Sequence, residues 1–305
     1  MEVITTVKKM QEYSDCMRRH DKTIAFVPTM GYLHEGHLSL IREGRKIGDC
    51  LVVSIFVNPV QFAPGEDFEG YPKDFQRDLE LARKNGTDVV FAPDDKELYS
   101  NGFQTYVNLK ELPNHLCGIS RPIFFSGVAT VVTKLFNIVK PHFAIFGQKD
   151  YQQIVIIRQM VCDLNFNIEI IGVETVREHD GLAMSSRNVY LTSGQRNSAL
   201  CLYKSLQKSQ ILLSSGINDS EKIIDSASKI IKLGTNTEID YIVICDPKTL
   251  IDMKKIDRLA LMALAVKVGK TRLIDNTILR NVDELTSTSR RTDLGQICSI
   301  SDHKS

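Results

Sequence analysis

Short apolar runs of strand length alternate with helical patterns over roughly the first 175 residues. The runs are KTIAFVP (22–28), CLVVSIFV (50–57), TDVVFAP (87–93), HFAIFG (142–147) and IEIIGV (168–173). They are continuous rather than alternating, which is the pattern of strands buried on both faces. Between them HLSLIREGRKIG (37–48), KDFQRDLELARKNG (73–86), GVATVVTKLFNIVKP (127–141) and DYQQIVIIRQMVCDL (150–164) carry apolar residues at helical spacing, several closing at Gly or Pro. Strand followed by helix, repeated, predicts a parallel sheet with right-handed crossovers.

The texture changes after about residue 176. Two helical patterns within 194–233, split by SSGIND (214–219), precede strand-like EIDYIVICD (238–246), RLALMALAVKVG (258–269) and TRLIDN (271–276). This predicts a smaller α+β domain. The expected division is 1–183, 184–283 and a polar, aperiodic tail at 284–305 that is expected to be disordered.

Composition changes this picture little: 305 residues, 43% hydrophobic and 25% charged, suit a soluble globular enzyme of two domains. Lys plus Arg (38) nearly balance Asp plus Glu (37), so no basic surface for a nucleic acid duplex is expected. Seven cysteines, an odd number with no C-x-x-C, argue against a disulfide framework and a zinc ribbon, and point to a reducing compartment. No apolar run reaches the length of a membrane span or a secretory signal, and early acids disfavour a transit peptide. A cytosolic protein is expected.

In an open parallel sheet, ligands bind beyond the carboxyl ends of the strands. Polar clusters follow the strands here at PTMGYLHEGH, NPVQF, GQKDYQQ and REHDGLAMSSRN, and are expected to meet at one mouth. His34 and His37 stand three apart with no companion at metal spacing, so a zinc protease is not expected. At a helix start their rings would join free N–H groups and the positive dipole end in attracting phosphate, with Gly31 and Gly36 letting the backbone approach. Lys149 and Asp150 also open a helix after a strand, and Ser185, Ser186 and Arg187 suit oxyanions. Asn58, Gln61 and Gln153 are neutral carboxamides of the kind that orient a hydroxyl or carboxylate. Singly, each of these is more often a structural loop residue. VGKT (268–271) lacks the first glycine of a phosphate-binding loop, since Leu264 stands there, and G-x-G-x-x-G does not follow the first strand.

The H-x-G-H turn resembles the nucleotidyltransferases related to class I aminoacyl-tRNA synthetases. PTMGYLHEGHLSL, SIFVNPVQF, EDFEGYPKDFQRDL, GQKDYQQ, REHDGLAMSSRN and TRLIDN, in that order, resemble more closely the pantothenate synthetase (pantoate–beta-alanine ligase) family. The likeness spans about residues 20–280. It implies a Rossmann-like parallel-sheet nucleotidyltransferase domain, a lid-like C-terminal α+β domain, and ligation of pantoate to beta-alanine through pantoyl adenylate, with ATP, Mg²⁺ and a homodimer. It places Met30, Gly31, Tyr32, Leu33, His34, Glu35, Gly36 and His37 on ATP, with both histidines at the phosphates and His37 as proton donor. A hydrogen bond from an imidazole to developing charge would suffice for that role. Gly147, Gln148, Lys149, Asp150, Val176, Met184, Ser185, Ser186 and Arg187 also fall on the nucleotide, with Lys149 as the phosphate cation. Catalytic roles are implied for His34, His37, Lys149 and Ser185 to Arg187. Gln61, Gln153, Asn58, Tyr71 and Arg121 fall on pantoate or beta-alanine, Gln61 on both; no protein ligand for the metal is implied.

Two departures stand out. The family commonly reads R-P-G-H-F where this chain has RPIFF, with Ile123 and Phe124, and Gln148 stands where Glu is frequent. Phe124 is expected beside the loop that closes the site, where it alters packing or rate. A cytidylyltransferase of the same fold would need the histidines but not both glutamines, and a non-catalytic nucleotide sensor would tolerate Phe124.

Overall fold

The strands form where the apolar runs place them. In the computed structural model, which describes residues 1–281, β1 (Glu2–Ile4), β2 (Ile24–Thr29), β3 (Cys50–Ile55), β4 (Val89–Phe91), β5 (Phe143–Gly147) and β6 (Glu169–Val173) make one sheet. Its order is β1-β4-β3-β2-β5-β6, with every pairing parallel. Alternate residues of β2 face opposite ways. Ile24 and Phe26 enter a core with α1 (Val7–Arg19), α6 (Phe124–Val139) and α7 (Tyr151–Asp163), while Ala25 and Val27 pack with α2 (Glu35–Ile47) and α3 (Phe75–Lys84). Phe26 and Phe136 are buried and meet edge to face at 6.5 Å, so truncating either to Ala would cost ~3–5 kcal/mol. Short α4 (Asp95–Leu98) and α5 (Cys117–Ser120) interrupt the connections. The pattern missed β1, too short at three residues to show a period, and α1, of which only Met10 and Ser14 are buried.

The chain winds outward from β2 through β3 and β4, then returns to the other side of β2 with β5 and β6. The winding therefore reverses between β2 and β5. At such a reversal the crossovers diverge and leave a crevice at the carboxyl ends of the strands.

The second sheet is an antiparallel meander of β7 (Thr237–Cys245), β8 (Leu259–Val268) and β9 (Thr271–Arg280). One face is covered by α8 (Ser193–Ser214) and α9 (Ser220–Lys232), through Leu202, Leu206, Ile223 and Ile231 against Leu264 and Val266. Its other face meets the first sheet's layer, where Leu261 and Ala263 pack with Leu116, Tyr151 and Val155. VGKT is the hairpin turn between β8 and β9, with Val268 paired to Thr271 and Gly269 at φ +61°. Among the described residues no helix is long and apolar enough to cross a membrane. The tail expected at 284–305 lies outside the described residues.

Candidate active site

The turn after β2 is built around backbone angles that few residues accept. Gly31 has φ +80°, and a Cβ there would sit 3.0 Å from both Asp78 Oδ2 and Ile55 Cγ2. Tyr32 follows at φ +51°. The N–H groups of Tyr32 and Leu33 donate to Asp78 Oδ2 and Oδ1, both at 2.7 Å. His34 then caps α2: its Nδ1 accepts the Gly36 N–H at 3.2 Å, and His37 Nδ1 accepts the His34 N–H at 3.4 Å.

This arrangement decides the state of both rings. With each Nδ1 accepting, the proton of each neutral imidazole sits on Nε2. Burial, then the neighbouring Lys149 ammonium, pushes His34 down to about 4. Burial, then His34 and Lys149, holds His37 well below the usual range. The pair, with ring centroids 4.1 Å apart, is therefore a set of neutral donors at pH 7. The expectation of free helix N–H groups for phosphate needs correcting at Gly36, whose N–H is taken by the His34 ring.

The strand-end loops do meet. A cavity of about 260 Å³ opens where the winding reverses, walled by Met30, His34, Gly36 and His37 after β2 and by Gly147, Lys149, Asp150 and Gln153 after β5. Asn58, Gln61, Tyr71 and Arg121 form another side, and Val176, Met184, Ser185, Ser186 and Arg187 a third. Five expected residues do not reach the wall. Gly31 and Tyr32 shape the turn, and Leu33 is wholly buried in the core beside α2. Glu35 pairs outward with Arg42, and the Gln148 side chain lies beside Gly172 on β6.

Within the wall, hydrogen bonds sort binders from supports. Asn58, expected to touch an acid substrate, is 1% exposed and spends its Nδ2 on Gln61 Oε1 (3.0 Å) and Gly127 O (3.1 Å), while its Oδ1 accepts from Tyr99 OH (2.7 Å). It therefore orients the Gln61 carboxamide. Gln152 is likewise structural, bonded to Cys117 N, Leu112 O and His115 O, which leaves Gln153 facing the cavity. Ser186 Oγ donates to Tyr32 O at 3.5 Å, and Ser185 Oγ accepts the Arg187 N–H at 3.3 Å.

Two of the wall arginines, Arg121 and Arg187, are engaged by one acidic segment, residues 62–74. Arg121 forks onto Glu66 at 2.6 and 2.5 Å, and Arg187 onto Asp67 at 2.9 and 2.8 Å. Burial alone would raise Asp67, but the hydrogen bond and charge of Arg187 bring its carboxyl below the usual range. Arg187, expected free for phosphate, thus already holds a carboxylate. Phe124 lines the cavity with the Arg121 guanidinium 3.9 Å from its ring centroid. Sequence reasoning passed over Asp78, one acid among several in a helical pattern. It also passed over Glu174 and Arg272, which line the cavity; Arg272 lies within the quoted TRLIDN and donates to Asp240 at 2.9 and 2.7 Å.

The family model described as pantoate-beta-alanine ligase matches residues 2–278. The pantothenate synthetase of Desulfatibacillum aliphaticivorans is 58% identical over 279 residues, 92% of this chain and 99% of that protein. That of Thermotoga petrophila is 54% identical over 92% of this chain and all of its own length (100%). The crystal structure of pantothenate synthetase from Thermus thermophilus superposes with a TM-score of 0.86 at 41% identity, covering 91% of this chain and 99% of that one. A Francisella tularensis pantoate-beta-alanine ligase, crystallised with beta-gamma ATP and beta-alanine, gives 0.76 at 35% identity, covering 91% and 97%. By sequence and fold, the chain belongs to the pantoate-beta-alanine ligase family.

Proposed function

We infer that this chain is an ATP-dependent ligase that joins pantoate to beta-alanine through pantoyl adenylate, and that the cavity between β2 and β5 is where both steps occur. The observation that carries the reading is the meeting, in one cavity, of neutral imidazole donors and an ammonium with carboxamides that add no charge.

In the first step a carboxylate oxygen of pantoate attacks the α-phosphorus, forming the acyl–phosphate bond as the bond to pyrophosphate breaks. Negative charge grows on phosphate oxygens, so positioned donors and cations do the work, and no covalent nucleophile is needed. The Nε2–H groups of His34 and His37 donate to those oxygens, and Lys149 supplies the positive charge. In the second step the free amine of beta-alanine attacks the acyl carbon, loses a proton and expels AMP. Gln61 and Gln153 orient the acid, with Asn58 fixing Gln61 and Tyr71 and Arg121 alongside. Met184 to Arg187, Val176 and Gly147 border the nucleotide.

Magnesium fits as a partner of the triphosphate. Among the described residues no cluster of three or more His, Cys, Asp or Glu could hold a metal ion, whereas Asp150 lines the cavity outside any ion pair of the described residues and would be its protein contact. When bound, the ion would neutralise phosphate charge. Residues 1–183 bind substrates in this reading, and 184–283 close over the mixed anhydride so that water does not reach it. The enzyme is a cytosolic homodimer without nucleic acid or membrane partners.

The test is AMP formation from ATP, pantoate and beta-alanine with each omitted in turn. Pyrophosphate released from ATP only when pantoate is present is the expected result, and AMP formation indifferent to pantoate would refute the reading. Gln61→Ala separates the nearest rival: it should be severely damaging here and almost harmless in a cytidylyltransferase.

A further inference from the structure

The histidine turn is not held by its own segment. Tyr32 and Leu33, the two residues before the cap of α2, both hand their N–H groups to Asp78 on α3, more than forty positions along the chain. Asp78 is 1% exposed, and its two oxygens each meet one donor at 2.7 Å. Arg77, its neighbour, places a nitrogen 3.9 Å from Asp78 Oδ1 and its guanidinium 5.4 Å from the Tyr32 ring centroid. On the opposite side, the Tyr32 carbonyl accepts from Ser186 Oγ. One peptide unit therefore ties α3 to the turn that carries Ser185 and Arg187.

We propose that Asp78 is a positioning residue for adenylation: its buried carboxylate clamps the Gly31–Tyr32 turn and so sets the His34 and His37 rings against the cavity. The proposal rests on the ligase reading above. Only a carboxylate meets the demand of two converging donors. An amide in its place would turn an NH₂ toward one of the two backbone N–H groups. Tyr32 would then be free to leave φ +51°, a region that a residue with a Cβ enters only when its surroundings force it. The His34 ring follows the turn because its cap bond to Gly36 starts two residues further on. Gln61 and Gln153 have no hydrogen bond to Asp78; Gln61 donates to Met30 Sδ just ahead of the turn, but its Oε1 is held by Asn58 Nδ2, so the acid-substrate wall should move less than the histidines.

Four readouts separate positioning from support of the fold. Asp78→Asn is expected to lower kcat for pyrophosphate release from ATP and pantoate about 100-fold, the scale of a misplacement near 1 Å. Its KM for pantoate should stay unchanged, and aminolysis of supplied pantoyl adenylate by beta-alanine should stay close to the parent rate. In an NMR titration, His34 should move from about 4 toward the value of a free imidazole. Asp78→Glu, which keeps the charge but lengthens its reach, should show the same selective loss. Ile223→Ala, in the second core, serves as a control of matched melting temperature and should spare both steps.

Parent-like adenylation in Asp78→Asn overturns the proposal. So does equal loss of both steps in proportion to melting temperature, or failure of both Asp78 variants to fold. A parent that releases no pyrophosphate refutes the ligase reading instead, and the His34 titration then decides the clamp by itself.

Discussion

Arg187 donates from Nε and Nη2 to the two carboxylate oxygens of Asp67, at 2.9 and 2.8 Å, across 120 residues of chain. Arg121 does the same onto Glu66, so adjacent acids of residues 62–74 occupy two of the three guanidinium groups of the cavity wall. Exposed ion pairs contribute little, but forked, partly buried pairs with charged hydrogen bonds contribute ~1.5–3 kcal/mol. A triphosphate that uses Arg187 must therefore displace Asp67. Asp67→Asn is expected to lower KM for ATP up to about 10-fold, the equivalent of ~1.4 kcal/mol. An unchanged or raised KM in initial-rate measurements would show that Arg187 does not meet the nucleotide.

The depressed histidines give a pH signature with a definite sign. His34 in the folded chain stays neutral down to about 4, whereas an unfolded histidine takes up its proton near 6.5. The unfolded state thus binds more protons in that window, so this contribution to stability is complete above 6.5 and is lost as pH falls toward 4. Urea midpoints across the window should fall with pH, less steeply for His34→Asn, which can still cap α2. Adenylation should likewise show no acid limb centred at 6.5.

Gly127 lies where α6 backs onto the turn carrying Gln61. A Cβ there would meet Gln61 Cα and Val60 O at 2.6 Å, backbone atoms that cannot swing aside. Gly127→Ala should raise KM for pantoate at least about 10-fold and destabilise by ~1–3 kcal/mol. Gly194→Ala, with open space around it, should change stability by no more than ~0.5 kcal/mol, as read from thermal melts.

Phe124 stands where the R-P-G-H-F pattern of the family resemblance would place histidine, and its ring supports the Arg121 guanidinium. Losing that stacking costs ~0.5–2 kcal/mol, so Phe124→Ala should weaken binding of the acid substrate without abolishing turnover. Phe124→His should alter rate modestly. Full kinetics of the two variants against the parent check this, and an inactive parent restored by Phe124→His would reverse it.

Several of these relationships could be anticipated from the chain and others could not. The five long-run strands and four helices of the first sheet appeared within a few residues of their expected bounds, because burial on both faces leaves a continuous apolar imprint. Seventeen of the expected site residues line one cavity, since all follow strands that point the same way. The structure gave several expected site residues partners within the protein: Asn58 holds Gln61 and accepts from Tyr99, Arg187 holds Asp67, and Glu35, outside the cavity, pairs with Arg42.

By itself the sequence determined periodicity, and with it which segments become strands or helices and on which ends of the strands the polar loops must lie. It also determined the chemical types available there: imidazole, ammonium, guanidinium and carboxamide. Only the tertiary structure decided which of those groups are free and in what state. Burial beside Lys149 makes His34 and His37 neutral, and Asp78, Asp67 and Glu66 come from elsewhere in the chain to hold the turn and the arginines. The physical reason is that desolvation, charge and hydrogen bonding depend on what lies within a few ångströms in space, whereas periodicity records only what lies next along the chain.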